Sequence, residues 1–308
     1  MTEPVTDDAR ARAKTGEVAR VTWIGLATNL TLAALKFAAG IIGSSQAVTA
    51  DAVHTLSDLS TDVAILVGIK YWSRPADKTH PHGHSRVEIL VTTGIGLVLV
   101  AVACGIVWNA ISTLPARHAS PPGIIALVAA AVSLVTKEAL CRWTLAKSRA
   151  LRSMPLLANA WHQRSDALSS LPALVAVAVA RARPGWAFVD HIGAIVVSLF
   201  ILRAAHRILR PELAKLIDGA APAGTVAAIH RLAGSVEGVL HVHRVRTRYV
   251  GGSNLAVDLH ITVDPLMTVR QGHDISEAVK ARLIAGDPDI VDAVVHLEPD
   301  DVRPKTYE

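Results

Sequence analysis

Six stretches of about 20 or more mostly apolar residues recur along the 308-residue chain, over residues 21–42, 47–72, 87–114, 124–145, 154–180 and 186–208. The hydrocarbon core of a bilayer is about 30 Å thick, and roughly 20 helical residues cross it. Each stretch is therefore expected to span a membrane as an α-helix. Hydrophobic residues make up 51% of the chain, well above what an ordinary soluble domain needs, which fits that reading. An even number of spans puts both termini on one side, and the basic residues say which. The N-terminal arm holds Arg10, Arg12, Lys14 and Arg20, the second-to-third connection Arg74, Lys78 and Arg86, and the fourth-to-fifth connection Lys147, Arg149 and Arg152. The opposite loops hold only Arg117, Arg181 and Arg183. Both termini are thus expected in the cytoplasm. The net charge of +5 is explained by this bias facing an anionic leaflet of the lipid bilayer, with no nucleic-acid partner implied. Residues 1–20 lack the short apolar core and small-residue cleavage site of a secretory signal, so the first span is expected to stay.

Composition changes around Pro211, beyond which no apolar run is long enough to span. Three parts are expected: a cytosolic arm over 1–20, a six-span transport domain over 21–210 and a cytosolic tail over 211–308. In the tail, periodicity predicts a helix over 225–234, strands over 239–250 and 255–263, a helix over 268–285 and a strand over 291–298. Gly251, Gly252, Ser253 and Asn254 split the two strands as turn residues. The order α-β-β-α-β predicts a small two-layer α+β domain. Cys104 and Cys141 lie inside predicted spans, far apart in sequence, and read as packing residues.

Ionisable groups in hydrocarbon cost from about 2.5 kcal/mol each, so those that remain usually face a polar path or one another. The second span contains ADAVHTLSD and the fifth NAWHQRSD, placing His54 four residues before Asp58 and His162 four before Asp166. That spacing sets each pair on one helix face. Two imidazoles and two carboxylates converging from two helices suit a tetrahedral zinc ion. They also neutralise a dication, whereas the empty carboxylates attract protons, so metal and protons compete for the same lone pairs. The alternative is that each pair caps or packs its own helix. By counting, the first pair sits outward of its span's centre and the second inward, a mismatch of about 10 Å that a fifth helix starting before Met154 would remove. Asp51 reads either as part of an entry path or as a residue near the outer interface, Lys36 as a snorkelling cation and Asn29 as a helix-to-helix hydrogen bonder.

Between the second and third spans, RPADKTHPHGHSR holds Asp77, His80, His82 and His84, with Pro81 and Gly83 shaping a bend. A carboxylate and two or three imidazoles can close there on one ion; solvated loop histidines are the alternative. In the tail, His241 and His243 share a strand face by period two, and with His260, His273, His296 and Glu298 they form a metal-binding set only if the fold gathers them; surface histidines are the alternative.

These residues resemble the cation diffusion facilitator family of proton-coupled zinc transporters, from Val21 to Pro299. The resemblance rests on the paired His-x-x-x-Asp motifs, on Asp-x-x-His-x-x-x-His at Asp77, His80 and His84, and on the histidine spacing of the tail. It implies six spans followed by a ferredoxin-like cytosolic domain, in a homodimer that exports cytosolic metal in exchange for protons by alternating access. It implies a transport site at His54, Asp58, His162 and Asp166, a loop site at Asp77, His80 and His84, and a tail site at His243, His260, His273, His296 and Glu298. It further implies an ion pair between Arg86 and Asp218, and residence in a bacterial inner membrane. Histidine at position 54, where some members carry aspartate, points to zinc; cadmium, iron, cobalt and nickel stay open, and the histidines argue against manganese. Glu298 departs from the family's aspartate. Two further functional classes stand beside metal/proton antiport. A membrane-anchored metal sensor would bind through the tail without transport. A metalloenzyme is disfavoured, because a fourth protein ligand leaves no open position for water and no added general base stands near.

Overall fold

A computed structural model describes residues 7–114, 121–151, 153–183 and 185–300, excluding the side chains of residues 7–16, 19, 58, 60–67, 69, 70 and 155. The carboxylate of Asp58, the side chains of Arg10, Arg12 and Lys14, and Arg117 and Arg152 therefore lie outside the described residues. Six long helices come first: α1 (Asp7–Ile42), α2 (Gln46–Trp72), α3 (Arg86–Thr113), α4 (Ile124–Ala150), α5 (Met154–Ala182) and α6 (Phe188–Leu216). Then follow α7 (Ala223–Gly234), β1 (His241–Gly251), β2 (Asn254–Val263), α8 (Val269–Gly286) and β3 (Ile290–Pro299). Among the described residues five helices are long and apolar enough to cross a membrane, within α1, α3, α4, α5 and α6. At 27 residues, α2 matches them in length. The chain is thus a helical membrane protein with a small α/β C-terminal domain.

The residues fall into two compact units, one up to Val63 together with Ile95–Arg207, the other Ala64–Gly94 together with Ile208 onward. The core of the first is built from small side chains, with Ala47, Ala50, Ala126, Ala130, Ala173, Ala176 and Ala194 all buried. Apolar lipid gives helices no hydrophobic reason to associate, so close backbone approach and dispersion take that role. Gly193 shows how close: a Cβ there would sit 2.3 Å from Ala176 Cβ and 3.0 Å from Ala47 Cβ. Large apolar residues such as Trp108 and Val135 point outward instead, as suits a lipid-facing surface. At one end, Asp190 of α6 accepts from Ser45 Oγ and from the Gln46 amide, both at 2.6 Å, and so caps α2 from another helix. α6 does not stop at Pro211 but continues to Leu216.

In the second unit the strands run in the order β1-β2-β3, with β1/β2 antiparallel and β2/β3 parallel. Strict alternation along β2 decides the two faces. Leu255, Val257, Leu259, Ile261 and Val263 form a core with Ile229 of α7 and with Val279 and Leu283 of α8. Ala256, Asp258, His260 and Thr262 therefore face away from the helices. The Ala64–Gly94 segment meets the β1–β2 turn so tightly that a Cβ on Gly251 would fall 2.6 Å from the Ser85 backbone.

Candidate metal sites

The tail site is ordered by strand register. His243 pairs with His260 across β1/β2, and His260 with His296 across β2/β3, so three imidazoles form one row over the helix-free face. Their ring centroids are 5.5 and 4.5 Å apart. Glu298, two residues past His296, shares that face, and its Oε1 lies 2.7 Å from His260 Nδ1 and its Oε2 3.3 Å from His243 Nε2. The ligand atoms of His243, His260 and Glu298 all come within 4.8 Å of one another, a set able to hold a metal ion. His296 Nε2 stands at the rim, 3.8 Å from Glu298 Oε1. A bulge follows His243, where Arg244 adopts φ +48° and the pairing resumes at Arg246 with Asp258. His273 does not join this cluster within the chain: it is exposed on α8, whose packing face lies on the opposite side of the sheet.

The loop site is built by a tight turn. Asp77 Oδ1 accepts from the Thr79 amide (2.8 Å), the Thr79 hydroxyl (2.7 Å) and the His80 amide (2.7 Å). The Thr79 hydroxyl, followed by the His80 amide, holds the Asp77 carboxyl down at about 2. His84 Nε2 stands 3.5 Å from Asp77 Oδ2 and His80 Nδ1 3.6 Å from Oδ1, and the three ligand atoms close within 4.8 Å. Gly83, at φ +82°, makes the bend that returns His84 to Asp77. His82 is not among the three ligand atoms that close together. Arg86 and Asp218 do meet, with Nη2–Oδ1 3.4 Å. Asp218 takes φ +57°, a left-handed conformation that aspartate tolerates just past the end of α6. Both groups are more than half exposed, so the pair adds little stability by itself.

In the membrane unit, His162 Nε2 lies 3.7 Å from Asp166 Oδ2, one turn apart on α5. His54, only 6% exposed, places Nε2 2.8 Å from Ser169 Oγ, and its buried Nδ1 has no hydrogen-bond partner among the described residues. Such an orphaned lone pair fits a metal cargo. The expected adjustment of α5 is absent, because the helix starts at Met154 with Ser153 as its N-cap. His54 is level with Ser169, three residues or about 4.5 Å along α5 beyond Asp166. Position 58, one turn further along α2, lies on the way to Asp166 if successive spans alternate in direction.

Sequence reasoning singled out neither Ser169 nor Lys137 beside this site, and it read Lys36 without its partner. Lys36 is wholly buried and does not snorkel: its Nζ donates to the Asp51 carboxylate at 2.9 Å and also to Thr55 Oγ1. Asp51 is likewise buried, as the partner of Lys36. Ser169 and the buried Lys137 of α4 complete the surroundings. Their signal was present, since a lysine in the apolar run VSLVTKEAL is as unusual as a histidine there.

Sequence profiles agree with this layout. The cation efflux transmembrane domain matches residues 22–217, and the cytoplasmic domain of cation efflux proteins matches 221–300. The chain belongs to the cation diffusion facilitator family. Relatives of this facilitator include metal tolerance protein C1 of Arabidopsis thaliana, 33% identical over 90% of the chain and 61% of that longer protein. An uncharacterized transporter of Methanocaldococcus jannaschii is 33% identical over 92% of the chain and 98% of its own length. The manganese efflux system protein MneP of Bacillus subtilis is 28% identical over 91% of the chain and 95% of its own length. Family and relatives together make the chain a divalent-metal transport protein.

Proposed function

We propose that this facilitator exports a divalent transition metal, zinc first, from the cytosol in exchange for protons by alternating access. The cargo site is His54, Asp58, His162 and Asp166, and the observation that carries it is the buried Nδ1 of His54, without a hydrogen-bond partner among the described residues, in a helix bundle that also holds the His162–Asp166 pair. Two carboxylates and two neutral imidazoles balance a dication, and the same lone pairs accept protons once it leaves. The transport part covers residues 21–210 and the cytosolic part 211–308, with α6 running from one into the other. Two chains form a homodimer in a bacterial inner membrane with both termini in the cytoplasm, and the loop and tail clusters bind further ions. MneP is named for manganese, so manganese stands beside cadmium, iron, cobalt and nickel as a competing cargo. Zinc leads because two imidazoles suit it better than an ion that prefers oxygen.

The test is zinc uptake into proteoliposomes of the purified chain under an imposed pH gradient, with internal metal and internal pH read together and each competing ion run in parallel. Opposed fluxes of zinc and protons that vanish in Asp58→Ala are expected, while undiminished flux in that variant refutes the site. The preformed tail cluster favours one second reading, a metal sensor without transport. It predicts stoichiometric zinc binding lost in His260→Ala, no flux, and indifference to Asp58→Ala.

A further inference from the structure

Lys137 lies in mid-α4 and is 2% exposed. A lysine at such depth persists only where a polar path or a partner receives its charge. Its Nζ donates to Thr55 Oγ1 at 3.3 Å and to the Asp166 carbonyl at 3.4 Å. Thr55 follows His54 in sequence and Asp166 is a proposed cargo ligand, so the ammonium stands between the two helices that form the site. Lys36 reaches the same Thr55 hydroxyl from α1 and bonds the Asp51 carboxylate and carbonyl at 2.9 and 3.1 Å. Two buried ammonium groups thus stand beside one carboxylate outside the cargo site, and that carboxylate is engaged by Lys36. Lys137 acts electrostatically on Asp51, which it shares with Lys36, and on Asp166 of the site itself. Both lysines are near enough to act electrostatically on Asp166 and on His54.

We propose, resting on the transport reading above, that Lys137 is an affinity-setting residue of the cargo site, a built-in cation that stands in for the metal when the site is empty and repels it when the site is filled. A transporter that bound its cargo as tightly as a four-ligand zinc site permits would release it too slowly. A fixed positive charge a few ångströms away weakens the loaded state selectively, because it attracts the vacant carboxylates and repels the dication. A lysine that merely tied α1, α2, α4 and α5 together would act with the opposite sign, since its removal would loosen the site and weaken binding.

The deciding measurement is the kinetics of zinc transport by full-length wild type, Lys137→Met and Lys137→Arg in proteoliposomes. Loss of the charge is expected to lower KM about tenfold or more and to lower turnover with it, while the arginine variant keeps both near wild type. An assembled Lys137→Met protein whose KM equals or exceeds that of wild type overturns the proposal. Should Lys137→Met fail to assemble as a homodimer, Lys137→Gln is measured in its place; failure of both assigns the residue to holding the helices and overturns the proposal. Wild type without flux refutes the transport reading and the lysine proposal with it. Wild-type flux with an unchanged KM in the neutral variant refutes the lysine proposal alone.

Discussion

The tail cluster and the membrane cluster use the same ligand types in opposite ways. In the tail, backbone pairing fixes His243, His260 and His296 in a row, and Glu298 already bridges two of them. In the membrane, His54 is bonded to Ser169, His162 is 62% exposed, and a buried lysine approaches the Asp166 backbone. A sheet holds its ligands in one arrangement and suits retention. Helices that slide past one another can assemble and disassemble a site, which suits a cargo that must leave. The loop site lies between these extremes, since only a turn holds it.

The comparison breaks most sharply at the aspartates. Asp58→Ala or His162→Ala is expected to reduce zinc flux more than about a hundredfold while leaving tail binding intact, as measured by proteoliposome flux and by calorimetric titration of the same preparation. The converse variant, His260→Ala, is expected to weaken tail binding by roughly 10- to 100-fold and to leave part of the flux. Equal losses of flux in the two variants would mean that the tail is no separate site.

A smaller effect is expected at the loop. Asp77 has a depressed pKa, so its contribution to the turn is complete above the ordinary carboxylate range near 4 and is lost only as pH falls through about 2. Asp77→Asn should therefore weaken loop metal binding about tenfold, by a factor that stays constant from about pH 5 to about pH 8 in titrations of the full chain. A factor that shrank on acidification within that range would show Asp77 titrating there. The smallest effect belongs to Ser169→Ala, which frees His54 Nε2; a few-fold change in KM with the variant still folded is expected, and a flux as low as that of Asp58→Ala would make Ser169 part of the cargo site itself.

Much of this was legible in order along the chain. The length of an apolar run answers directly to bilayer thickness, and alternation answers to burial on one face, so the long helices cover the expected runs, with α1 and α6 extending beyond them, and the α-β-β-α-β tail lies within a few residues of its expected positions. The change of composition around Pro211 does not coincide with a helix end, since α6 continues through it to Leu216. His273 stands apart from the cluster of its own chain because α8 packs on the opposite face of the sheet, and spacing along the chain does not say which face a helix covers. Lys36 read as a snorkelling group because its depth in the first span was counted without the partner that Asp51 supplies from the second.

By itself the sequence determined the class of the protein, through runs of about 20 apolar residues, and the two His-x-x-x-Asp faces and the bend at Pro81 and Gly83, which depend on neighbours within about four residues. Only the tertiary structure decided which of these groups meet. The register that aligns His243, His260 and His296, the level of His54 against Ser169, and the approach of Lys137 to Asp166 all depend on how separate elements pack. Packing is set by the shapes of many small side chains at once, and no local pattern encodes it.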